Sequence, residues 1–379
     1  MRETPASFRS QFPLLSDTVH LASCSQGAAS LRLIAALDEF QWSMRSHGAP
    51  WDLWMAEVAT ARRMFAALIG ASPDEVAIVS CASAGAYQVA STFDWRRRPV
   101  IVSTDLEFPS IAHVWLAQGR RDAEVRFVPA RDGLVSAEDY AVAVDETTGL
   151  VSVPLASYRG GGRLPVAAAV ATARAAGARV FIDAYQGAGV VPIDVRALDC
   201  DYLVAGSLKY LLGVPGIAFL YARDGLADEL APTMTGWFGR VDPFAFDPRT
   251  LDFPSSARRF ETGTPAIPAA YGAVAGLATL AGTDVALIDA HVRELAGLAH
   301  ERLGAAGEQV FSPGDPSVRG PQVAIIDDDP AGLAAFLARR HIVTSPRGDL
   351  LRLSFHYYNN ESDVTAGCDA IGEYRRRQS

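Results

Sequence analysis

The chain all but lacks lysine: of 34 basic residues in 379, 33 are arginine and one, Lys209, is lysine. Cysteine is scarce as well. Cys24, Cys81, Cys200 and Cys368 lie far apart and form no CxxC pair, which excludes a zinc ribbon or a disulfide framework, and no metal site is expected. No apolar run approaches the roughly 18 residues of a membrane span, and residues 1–12 hold no apolar core of a signal peptide. The cytosol is therefore the expected compartment, with no membrane partner. Excess positive charge is missing too. A formal charge of −9 disfavours nucleic acids and anionic membranes, and Arg96–Arg98 and Arg375–Arg377 are isolated runs that make no basic face. No strand leads into a GxGxxG turn, since Arg159-Gly160-Gly161-Gly162 has the wrong spacing, and this argues against a dinucleotide-binding dehydrogenase.

What is present describes a globular protein, 49% hydrophobic and 20% charged, long enough for one large and one smaller domain. Helical spacing runs over 31–44 and 53–69, where Gly70 stops it. Short apolar runs then read as buried strands at 76–79, 100–103, 125–128, 150–155, 180–182, 202–204 and 217–221, with alanine-rich helical stretches such as 166–176 between several of them. Strand–helix alternation with wholly apolar strands predicts an α/β fold, a mainly parallel sheet covered on both faces. Residues 224–265, rich in Pro, Gly, Asp and aromatics, read as a long ordered connection. Helices at 269–280 and 285–303 follow, and then a strand–helix–strand–helix tail that forms a second, smaller α/β unit.

The lone lysine carries the functional argument. Arginine supplies charge and hydrogen bonds as well as lysine does, but its guanidinium does not deprotonate near neutral pH. A position that alone stays lysine in an arginine-biased chain therefore points to nucleophilicity, and a deprotonated primary amine attacks an aldehyde. Lys209 follows the predicted strand at 202–204, and in open α/β sheets ligands bind beyond the carboxyl ends of strands. The preceding strand ends in Ile182-Asp183-Ala184-Tyr185-Gln186. An acid there can hold the pyridinium N–H of pyridoxal 5′-phosphate (PLP) and keep the ring able to accept electrons, while Gln186 reaches the phenolic oxygen and Lys209 forms the Schiff base. His113 and His356 read as satisfied polar residues rather than proton carriers.

These motifs resemble the class V aminotransferase family of PLP enzymes, of fold type I, over about residues 20–360. The family takes in cysteine desulfurases, selenocysteine lyases, kynureninases, an epimerase and an ergothioneine-pathway C–S lyase. The resemblance implies a large PLP-binding domain at 20–265 and a small domain from 1–19 and 266–379. It implies that Ser83 and Ala84, in Ser80-Cys81-Ala82-Ser83-Ala84-Gly85, bind the phosphate at a helix start, with Ser83 as the cap. Phe108 would stack on the ring, and Arg352 would grip the substrate carboxylate. Thr264 would reach the phosphate of a neighbouring subunit, making the protein a homodimer with shared active sites.

Departures from the family pattern bear on the reaction. Leu208 stands where relatives carry His or Tyr, so phosphate support must come from elsewhere, with Ser207 a candidate. No cysteine occurs at 344–349, which argues against a persulfide relay. Tyr158, in Ala156-Ser157-Tyr158-Arg159-Gly160, replaces an asparagine near the ring and follows the C–S lyase pattern, whereas Phe108-Pro109-Ser110 and Gly236-Trp237-Phe238-Gly239 follow kynureninases. The expected activity is a lyase cleaving a Cβ–S or Cβ–C bond of an amino acid. An aminotransferase is the alternative, followed by an epimerase or a non-catalytic binding protein of this fold. Trp237, Phe238, Phe244, Phe246 and Arg347 suggest an aromatic pocket with an added cation.

Overall fold

The computed structural model describes residues 3–226 and 230–378. Its strands are β1 (Val19–His20), β2 (Val76–Val79), β3 (Val100–Thr104), β4 (Glu124–Val128), β5 (Thr148–Pro154), β6 (Arg179–Asp183), β7 (Tyr202–Gly206), β8 (Ala218–Ala222), β9 (Gln322–Ile326), β10 (Ile342–Val343), β11 (Ser345–Arg347) and β12 (Leu350–Ser354). Seven of them form the central sheet in the order β2-β8-β7-β6-β5-β3-β4. Strands β3 to β7 are parallel to their neighbours, and β8 runs antiparallel to both β7 and β2.

The sheet is apolar on both faces because each strand feeds two cores. Val180 and Ile182 pack into one hydrophobic cluster and Phe181 into the other, and Leu203 and Val204 divide in the same way. Edge strand β4 is the exception. It is largely solvated and carries Glu124 and Arg126, charges that discourage pairing with another chain.

The antiparallel β8 departs from a simple parallel reading, and its cause fixes the site. A parallel return needs a crossover of a dozen or more residues, usually a helix. Between β7 and β8 the chain has only residues 207–217, so it turns back within a loop and sets Lys209 just beyond the carboxyl end of β7. Leu212 takes a left-handed φ of 58° in that turn, and its N–H donates to the Lys209 carbonyl at 3.2 Å.

The C-terminal unit is the antiparallel sheet β11-β12-β9, covered by helices Val285–Ala305, Pro330–Ala338 and Glu361–Gln378. The N-terminus joins it: β1 pairs in parallel with β10, Arg9 bridges Asp363 at 2.7 Å, and Phe8 packs on Tyr357 and Tyr358. Helix Ile267–Leu280, grouped with the small domain on sequence, packs instead against helices Leu31–His47 and Trp51–Leu68. Its Gly276 lies so close to the carbonyl of Leu211 that no β-carbon would fit. Residues 227–229 of the long connection lie outside the described residues, and the rest of it runs through short 3₁₀ turns at Trp237–Gly239, Pro243–Ala245 and Ala257–Phe260. Among the described residues, no single helix is long and apolar enough to cross a membrane.

Candidate active site

The carboxyl ends of β3, β5, β6 and β7 open onto a cavity of about 250 Å³ lined by Cys81–Ser83, Leu106, Phe108, Ser110, Ile111, Pro154, Ala156, Tyr158, Asp183, Tyr185, Gln186, Leu208 and Lys209. The Lys209 amine has no hydrogen-bond or ion-pair partner among the described residues. Its Nζ lies 4.5 Å from the ring centre of Tyr185 and 5.5 Å from that of Phe108. Burial pulls this amine down to about 8, with Asp183 and Cys24 opposing and the Arg352 and Arg347 charges assisting. A sizeable share of it is therefore uncharged near neutral pH.

Asp183 ends β6 and is buried, 5% exposed. Its Oδ1 accepts the Tyr185 N–H at 2.8 Å. A second buried acid, Glu107, stands beside it: Glu107 accepts the Ser152 hydroxyl at 2.8 Å and the Phe108 N–H at 2.9 Å. Two carboxylates cannot both ionise cheaply in an apolar setting. Burial, and then the charge of Asp183, push Glu107 up to about 8, so Glu107 holds a proton at neutral pH and bonds to Asp183. The Asp183 carboxyl is itself raised by burial, with the Tyr185 N–H and Lys209 pulling the other way.

The opposite end of the cavity is the start of helix Ala82–Ser91. Its N-cap is Cys81, not Ser83, and no side chain caps it. Ser83 is the second helical residue, in the first turn with Ala84, where backbone N–H groups have no intrahelical acceptor. That is a site for an anion. Ser207 does not join it: its side chain is buried outside the cavity, and its hydroxyl donates to the Val214 carbonyl. Leu208 lines the wall but offers no donor.

Gln186 donates through Nε2 to the Cys24 carbonyl at 3.2 Å, which leaves its Oε1 buried without a partner. Tyr158 stands edge-on to Phe108, with ring centres 5.2 Å apart at 89°, and its carbonyl accepts from Arg352 Nη1 at 2.7 Å. Arg352 is almost wholly buried, and Ser345 holds its Nε and Nη2 through its carbonyl and hydroxyl. Of five guanidinium N–H groups these bonds use three, leaving one on each terminal nitrogen. Thr264 is exposed and borders a separate recess between Val79, Gly216 and Phe238, so within one chain it does not meet Lys209. Trp237, Phe238, Phe244 and Phe246 pack on one another rather than on the Lys209 cavity. His113 is exposed. His356 is buried, with Nδ1 accepting from Tyr357 N–H and Nε2 on the Tyr210 carbonyl, and neither histidine lines the cavity.

An unpartnered amine, a buried acid, an orphaned amide oxygen, a flat ring and an uncapped helix start suit the aldehyde, ring nitrogen, phenol, ring face and phosphate of PLP. Comparison with known proteins agrees. Residues 43–366 match the family model described as "Aminotransferase class-V". The chain belongs to that family. A Bacillus subtilis relative named "Uncharacterized aminotransferase YcbU" is 36% identical to this class-V chain over 98% of each protein. A kynureninase of Pseudomonas fluorescens is 28% identical, covering 100% of this chain and 94% of that one. Among solved structures, apo cysteine desulfurase from Thermococcus onnurineus superposes with a TM-score of 0.90 at 22% identity, over 100% and 99% of the two chains. The fold is thus PLP fold type I, and the class-V enzyme works with PLP.

Two residues of this class-V site carry no motif of their own along the chain. Glu107 stands out only by preceding Phe108. A signal was available, since an acid just past one strand, Ser152 on the next and Asp183 at the end of the third fall on adjacent strands once the order β3-β5-β6 is known. Tyr185 lay unremarked inside the Asp183-to-Gln186 motif.

Proposed function

We propose that this enzyme is a lyase that cleaves a Cβ–S or Cβ–C bond of an amino acid. The reading rests above all on the Lys209 amine, held near 8 and free of partners beside the buried Asp183. In this reading Asp183 faces the ring nitrogen, Gln186 the phenolic oxygen and Phe108 one ring face, while Ser83 and the Ser83 and Ala84 N–H groups take the phosphate. When bound, the cofactor supplies an electron sink for the pair left behind when the substrate's α-proton departs. The chain's own part is to place and move protons. With its amine free, Lys209 would take the α-proton as general base. The two spare N–H groups of Arg352 hold the α-carboxylate in a fixed orientation, and Tyr158, whose carbonyl braces that arginine, borders the reacting carbon.

Similarity to proteins named kynureninase, probable cysteine desulfurase and cystine C–S lyase supports bond cleavage at the β-carbon. Residues 344–349 contain no cysteine, which argues against a persulfide carried on that loop. The working unit in this reading is a homodimer, with Thr264 of each protomer reaching the other's phosphate. The exposure of Thr264, and of Val241, Phe244, Phe246 and Leu251 in the same connection, supports a covering second copy. The cytosol remains the proposed compartment.

A second reading, aminotransferase, is favoured by the name of the 36%-identical relative. One experiment separates them. Cofactor-loaded enzyme is incubated with cysteine conjugates and with kynurenine, and pyruvate and alanine are assayed. Release of either product supports the lyase, whereas amine transfer that requires an added keto acid, with no such product, replaces it with the transaminase.

A further inference from the structure

A phosphate carries close to two negative charges, and the chain is short of side chains to meet it. Leu208, next to the lysine, has no donor, and the Ser207 hydroxyl is spent on Val214. Ser110 lines the cavity but is exposed at the start of another helix, on the side of Phe108. Within one chain that leaves Ser83 and the two backbone N–H groups at the helix start.

Tyr185 lies in the same wall. It leaves β6 two residues after Asp183's ring-facing position, and its ring passes under the Lys209 amine. Its far end runs over the last residue of β7, Gly206. A β-carbon on Gly206 would collide with Cζ and the hydroxyl oxygen of Tyr185. The absence of a side chain at 206 is therefore what admits the phenol to this place. The hydroxyl has no partner among the described residues, and Cys81, the N-cap of the phosphate-end helix, is near enough to act on it electrostatically. We propose that the Tyr185 hydroxyl donates the phosphate hydrogen bond that Leu208 and Ser207 do not supply, in the space that Gly206 leaves open. Burial, with the charge of Asp183, raises this phenol well above its ordinary value, so it stays protonated and available as a donor across the working pH range. Tyr185 would thus serve twice, its ring bounding the cavity below the lysine and its hydroxyl binding the anion.

This inference rests on the PLP reading above, and its test distinguishes the two. Wild-type protein and Tyr185→Phe are titrated with PLP and with pyridoxal, which lacks the phosphate, and binding is followed by absorbance and by borohydride fixation at Lys209. Loss of one charge-assisted bond should weaken PLP binding about ten- to a hundredfold, with pyridoxal affinity unchanged. Gly206→Ala, which pushes the whole phenol aside by collision, should weaken PLP binding at least as much. Equal weakening of both ligands, or no change in either, overturns the role of the hydroxyl and leaves PLP binding intact. Wild-type protein that binds neither ligand overturns the cofactor reading itself, and this inference with it.

Discussion

Among the described residues, two of the buried polar clusters differ in how completely their groups are satisfied. One joins the N-terminus to the small unit. There Asn359 donates to the His20 carbonyl and to Asp363, Asp363 receives Arg9, Tyr358 meets Ser23 at 2.7 Å, and His356 uses both ring nitrogens. None of these side chains leaves a buried nitrogen or oxygen unpaired. The other is the Lys209 cavity. Its amine has no hydrogen-bond partner among the described residues, Gln186 Oε1 is orphaned, and burial raises both acids, Glu107 and Asp183. Unsatisfied buried groups cost free energy, of the order of 1–3 kcal/mol each. In the cavity a ligand can relieve such a cost, and the saturated cluster serves as the comparison.

Replacing Lys209 should have the largest effect. Lys209→Ala should lower turnover by roughly 10³-fold or more and abolish borohydride fixation of the cofactor, without lowering the melting temperature of the cofactor-free protein. A fall in melting temperature like that from a change at His356 would erase the contrast between the clusters. Next comes Asp183→Asn, with a loss on the order of 10²-fold in activity. Because Asp183 raises the lysine's affinity for its proton, the variant should also shift the amine below its wild-type value of about 8. The single lysine makes this measurable by the pH dependence of reductive methylation at residue 209. A constant or higher midpoint would refute the assigned electrostatics.

Arg352→Lys should act on binding more than on chemistry, since an ammonium lacks the fork that holds a carboxylate. We expect KM to rise roughly tenfold with kcat much less affected. A fall in kcat at constant KM would place Arg352 outside the substrate contact.

The remaining effects concern stability alone, and they run in opposite directions. Burial, partly offset by the Tyr210 carbonyl, lowers His356 from 6.5 to about 4 in the folded protein. Between those values the unfolded chain binds more protons, so this residue makes stability rise with pH, by up to about 3 kcal/mol across the window. Glu107 is raised from 4.5 to about 8, so the folded chain binds more protons and stability falls as pH rises through that range. In urea unfolding of the cofactor-free protein from pH 4 to 8, His356→Gln should remove the acid-side rise, and Glu107→Gln should remove the neutral-side fall. Identical pH profiles for the two variants would show that the clusters do not differ in this way.

Much of this was legible along the chain. Wholly apolar strand segments announced a sheet covered on both faces, because a strand buried on two sides has no polar positions to alternate. The lone lysine and the acid ending the preceding strand announced the chemistry. Ser83 was read as a cap, yet Cys81 holds that position, because a helix start shifts by a residue or two without changing the composition around it. The place of Ser207 beside Leu208 suggests a phosphate ligand, but neighbouring residues on a turning chain point different ways, and its hydroxyl meets Val214 instead.

The residues themselves therefore determined the fold class and pointed to the proposed nucleophile and its acid, since those readings follow from composition, local periodicity and the distinct chemistry of an amine. Tertiary structure alone decided that Glu107 stands beside Asp183 and that Tyr185 fills the space over Gly206. The first brings together the ends of β3 and β6 across β5 and the second the ends of β6 and β7, and strand order is set by packing that no local pattern of residues encodes.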